Sequence, residues 1–61
     1  MKEVKTNPGK WYAVTSASGC TVSLEDGTRL AEVQPGIQAV FCAVSGKTQV
    51  SDDAAIVTQT L

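Results

Sequence analysis

Four groups of residues in this chain are of types that can do chemistry. They are the string Ser45-Gly46-Lys47-Thr48, the thiols Cys20 and Cys42, the carboxylate pairs Glu25-Asp26 and Asp52-Asp53, and the adjacent aromatics Trp11-Tyr12. The first ends like a phosphate-binding loop. That loop needs a second glycine five positions before its Gly-Lys pair, where this chain has Phe41, and no helix follows to aim its N-terminus at an anion. The two cysteines sit in valine-rich, strand-like runs, where a thiol behaves as a small hydrophobe. Two cysteines make no disulfide framework, and a cytoplasmic chain keeps them reduced. Zinc asks for four nitrogen or sulfur ligands, and the chain has neither a histidine nor a close cysteine pair. Asp52-Asp53 lacks the dense oxygen spacing of a calcium loop. No metal and no cofactor are expected.

The commonest general base, histidine, is missing. Glu3, Glu25, Asp26, Glu32, Asp52 and Asp53 fall near turns or on polar faces, where solvent keeps them ordinary. Neighbours such as Glu25 and Asp26 point apart on a strand and make a poor acid–base pair. The chain therefore reads as non-enzymatic. Trp11 and Tyr12 face opposite sides of a strand, which puts one in the core and the other at a surface or interface. Either is a candidate for stacking on a sugar or a peptide.

The elements that would position these residues are short. Turn residues recur at Asn7-Pro8-Gly9, Ser18-Gly19, Asp26-Gly27, Pro35-Gly36, Ser45-Gly46-Lys47 and Asp52-Asp53, and Val, Thr and aromatic residues lie between them. That punctuation predicts an all-β domain of five or six short antiparallel strands, as a meander, small barrel or sandwich. Residues 10–61 form this domain, and residues 1–9 a flexible or extended arm. Asp26-Gly27 suits a two-residue type I′ hairpin turn. It would set Leu24 opposite Arg29, Ser23 opposite Leu30, Val22 opposite Ala31, Thr21 opposite Glu32 and Cys20 opposite Val33, leaving Leu30 alone on the polar face. A second hairpin, with Gly46 opening a type II′ turn, would set Ala43 opposite Val50. The last strand, Ala54 to Thr60, turns Ile56, Thr58 and Thr60 to one face.

Between Gly36 and Gly46 the chain is apolar on both faces: Ile37, Ala39, Phe41 and Ala43 on one, Gln38, Val40, Cys42 and Val44 on the other. A chain of 61 residues must offset an ordering cost on the order of 90 kcal/mol with few large side chains. Chains this small add disulfides, a metal or further subunits, and the first two have been set aside. Burial of the second face by the domain's own second sheet or by another copy is the expectation, with Leu30, Val40, Cys42 and Val44 as candidate interface residues in the second case. The net charge of −1 and the absence of a basic stripe argue against nucleic acid. Met1-Lys2-Glu3-Val4-Lys5 lacks a secretion signal's apolar core, and no apolar run could span a bilayer. A soluble, cytoplasmically made chain is expected.

Asn7-Pro8-Gly9-Lys10-Trp11-Tyr12 and Val50-Ser51-Asp52-Asp53-Ala54-Ala55-Ile56-Val57-Thr58, with a glycine-bounded apolar strand before the Ser-Asp-Asp turn, resemble small tail-associated or other virion structural proteins of bacteriophages and prophages. The likeness implies a β module that builds symmetric homo-oligomers, often trimers, alongside other virion proteins. It brings no catalytic or ligand residue with it, and the cysteines stand outside the pattern. The residues thus point to a structural assembly module. A small carbohydrate- or peptide-binding module using Trp11 or Tyr12 is the alternative.

Overall fold

The computed structural model describes residues 1–60. Among them are seven strands: β1 (Lys2–Lys5), β2 (Trp11–Thr15), β3 (Cys20–Ser23), β4 (Arg29–Val33), β5 (Ala39–Cys42), β6 (Lys47–Val50) and β7 (Ile56–Gln59). All pairings are antiparallel. One sheet runs β1-β6-β3-β4 and the other β5-β2-β7, so the chain repeatedly crosses between layers. Only β3 and β4 are successive strands of one sheet. Cα extents of 27 × 26 × 15 Å fit two stacked sheets, whose faces pack about 10 Å apart.

Alternation along the strands builds the core. Tyr12, Val14 and Phe41 from the three-stranded sheet meet Cys20, Val22, Val33 and Val50 from the four-stranded sheet, and Ala43 and Ala55 close the ends. Tyr12 and Phe41 are cross-strand partners, their rings stacked at 5.8 Å. The Tyr12 hydroxyl accepts the Asn7 N–H at 2.7 Å. Thr48 has no solvent exposure and exchanges a 2.9 Å hydrogen bond with Thr6, so its hydroxyl is not stranded in the interior.

The strand count exceeds the expected five or six because the N-terminal segment is no separate arm. Lys2 to Lys5 pair with Val50 to Lys47, and buried Thr6 hydrogen-bonds the Ser45 carbonyl at 2.7 Å. The expected boundary at residue 9 is therefore corrected.

The β3–β4 hairpin forms, with Cys20, Thr21 and Val22 opposite Val33, Glu32 and Ala31 as expected. Its turn differs from the expected type I′. Gly27 N–H donates to the Leu24 carbonyl at 3.0 Å and Leu24 N–H to the Thr28 carbonyl at 2.8 Å. Gly27 takes φ of 93° while Asp26 does not enter the left-handed region. This is a three-residue loop, a type I turn followed by a left-handed glycine. The extra loop residue shifts the pairing, so Ser23 faces Arg29 and Leu30 becomes a bulge. Leu30 turns partly against the core instead of standing alone on the polar face.

The second expected hairpin is absent. β5 pairs with β2, whereas β6 pairs with β1 and β3. Gly46 has no positive φ, which a type II′ turn would require. Segment 43–46 instead crosses between layers, held by the Thr6 N–H on the Gly46 carbonyl at 3.0 Å. Ala43 and Val50 still share the core, without being opposed on neighbouring strands.

Candidate interaction face

The candidate residues are positioned by the three-stranded sheet. In β2, Tyr12 and Val14 point inward, which sends Trp11, Ala13 and Thr15 outward. Cross-strand partners share a face. Trp11 is therefore beside Cys42, Ala13 between Val40 and Thr58, and Thr15 beside Ile56. Thr60 extends the row next to Trp11, its N–H on the Trp11 carbonyl at 2.9 Å, and Val44 continues the β5 alternation past the strand end.

Exposed on this face are Trp11 (53%), Val40 (53%), Val44 (58%) and Ile56 (66%). Cys42 is half-buried. Ala13 is shielded, being a small side chain between two larger neighbours. No charged residue stands on the outward side of β2, β5 or β7. The outward side of the four-stranded sheet is the opposite case. It carries Glu3, Lys5, Arg29, Glu32 and Lys47 among Thr21, Ser23 and Gln49, with an Arg29–Glu32 ion pair at 3.3 Å. One face of the sandwich is made for water, and the other has no ionic group to hold water.

Of the four expected interface residues, Val40, Cys42 and Val44 lie together here. Leu30 is on the other sheet and packs on the core. Of the two candidate stacking aromatics, Trp11 is exposed. Tyr12 is 5% exposed, which corrects its candidacy: it has no free ring face for a ligand. The sequence pattern separates Trp11 from Val40 and Ile56 by dozens of residues, and only the β5-β2-β7 pairing joins them. The preference of Ile56, Thr58 and Thr60 for one side is visible in the sequence; the strand beside them is not.

A shallow depression of about 420 Å³ lies at the Trp11 end, lined by Gly9, Lys10, Trp11, Gln59 and Thr60. The remaining polar cluster is a structural tie. The Asp52 carboxylate accepts hydrogen bonds from the Ser16 hydroxyl, the Ala54 N–H at 3.0 Å and the Ser18 hydroxyl at 3.4 Å. These donors, Ser16 foremost, hold its pKa below the usual carboxylate value. Burial pushes the nearby Cys20 thiol upward, away from the reactive thiolate. Among the described residues both cysteines are free, no three His, Cys, Asp or Glu side chains converge on a point, and no helix is long and apolar enough to cross a membrane.

Family models, curated proteins and solved structures were each compared with the chain, and none matches.

Proposed function

We propose that this domain is a non-enzymatic assembly module whose three-stranded sheet binds further copies of the chain through its outward face. One observation carries the reading. Four of the six large apolar side chains exposed among the described residues, Trp11, Val40, Val44 and Ile56, fall on the sheet face that has no charge, while Glu3, Lys5, Arg29, Glu32 and Lys47 occupy the opposite face. Interface centres are depleted in charge and enriched in aromatic residues, and Trp11 meets both descriptions. The resemblance of the opening and closing segments to small phage virion proteins suggests a tail or fibre as the setting and a symmetric homo-oligomer as the form.

The chain's single tryptophan reports on the face directly. In an assembly Trp11 is covered, so its emission shifts to the red when the protein is diluted from micromolar to nanomolar concentration. Emission that stays at the exposed wavelength throughout this range contradicts the proposal. The depression beside Trp11 supports a second reading, a small carbohydrate- or peptide-binding module. Under that reading Trp11 emission responds to an added glycan or peptide at constant protein concentration.

A further inference from the structure

Two strand edges are open in this sandwich, and they are finished differently. β4 and β5, the last strands on one side of the two sheets, pack against each other, which leaves β1 and β7 at the other side. Sheet edges that must not pair are commonly guarded by charged side chains, inward-pointing ones included. β1 carries Lys2, Glu3 and Lys5. Lys2 takes the inward parity, opposite buried Val50, and its ammonium donates to the Ala55 carbonyl. β7 and its flanks, Ala54 to Thr60, have no charged residue and no proline of their own, and the Lys2 ammonium lies at the Ala55 carbonyl ahead of β7.

The hydrogen-bond parity of β7 is also fixed. Thr60 N–H points to β2, so Thr58 and Ile56 do too, and the N–H and C=O groups of Val57 and Gln59 point away from the sheet. Two such edges are self-complementary about a twofold axis. Val57 of one copy would exchange both hydrogen bonds with Gln59 of the other, and Gln59 with Val57. Thr58 would face its own counterpart as a non-hydrogen-bonded pair, a position where Thr–Thr contacts are favourable. No like charges meet. From this geometry we infer that β7 pairs antiparallel with β7 of a second copy, centred on Thr58. The inference rests on the assembly reading and deepens it. It joins two three-stranded sheets into one of six strands and makes their uncharged faces continuous.

Gln59→Pro tests the pairing selectively. The lost N–H is one that points away from β2, and proline is tolerated where an edge N–H faces outward. The expected result is wild-type far-UV circular dichroism with the solution mass reduced at least twofold. A second variant, Thr58→Cys with Cys42→Ser, places the new thiols on the proposed axis. Non-hydrogen-bonded partners lie about 4.5 Å apart at Cα, within disulfide reach, so mild oxidation yields a covalent dimer. A folded Gln59→Pro protein of wild-type mass, or a Thr58→Cys protein that stays uncrosslinked, overturns the pairing. If Val40→Asp nevertheless lowers the mass, the assembly reading survives without the edge. If the wild type is itself monomeric, both fall together.

Discussion

Asp52 shows how much one short side chain can fasten in a small domain. Its carboxylate joins Ser16 at the end of β2, the Ser18 loop and the turn before β7. Because those bonds need the ionised form, the pKa is lower in the folded chain than the value of about 3.9 expected when unfolded. The resulting stabilisation is complete above that unfolded value and is lost as pH falls through the lower folded one. Urea midpoints measured from pH 5 to pH 2.5 should therefore fall more gently for Asp52→Asn than for the wild type. Glycines at positive φ give a second test at this scale. Gly9 and Gly19 have nearly the same φ, 85° and 82°. A Cβ at Gly9 meets open space, but at Gly19 it would lie 3.1 Å from the Val33 carbonyl oxygen and 3.2 Å from Pro35. Gly9→Ala should cost about 1–2 kcal/mol for the left-handed backbone alone, and Gly19→Ala clearly more, in matched urea titrations.

At the scale of elements, β5 is where local and long-range demands part. Its inward residue Phe41 stacks on Tyr12 of β2, a strand some thirty positions earlier in the chain. The Gly46-Lys47 pair marks a change of direction correctly, but a turn signal does not say whether the chain returns within the same sheet. The burial of Phe41 and Ala43 was legible because alternation is a property of the strand itself. Its partner strand was not, since pairing depends on residues distant in sequence. At β3–β4 the same logic gives three correct pairs of five, with Ser23 shifted from Leu30 to Arg29 and Leu24 hydrogen-bonded to Thr28 instead of facing Arg29. Asp-Gly serves a two-residue turn and a three-residue turn equally well, and the choice displaces Leu30. Phe41 supplies the largest test of this packing. Phe→Ala in a core costs about 3–5 kcal/mol, comparable with the whole stability of a domain this size at roughly 0.05–0.15 kcal/mol per residue. Phe41→Ala should therefore show a largely unfolded circular dichroism spectrum at 25 °C.

On the scale of the molecule, the sandwich divides its surface into a charged face and an uncharged one. The all-β class follows from turn spacing alone, and the apolar excess of Val40, Cys42 and Val44 is visible in one segment. The face they belong to needs β2 and β7 beside β5, which no local pattern specifies. Trp11 as a surface or interface aromatic and Ile56 on one face of the last strand were both within reach of the sequence, but not that they share a face with Val40. Because Val40 is solvent-exposed in the single chain, a charge there leaves the fold intact and acts only on what covers the face. The most direct measurement is sedimentation equilibrium of the wild type beside Val40→Asp across micromolar concentrations. The account predicts a wild-type mass that is a multiple of 6.4 kDa and a folded Val40→Asp chain of lower mass. A wild type that remains at 6.4 kDa throughout would contradict it.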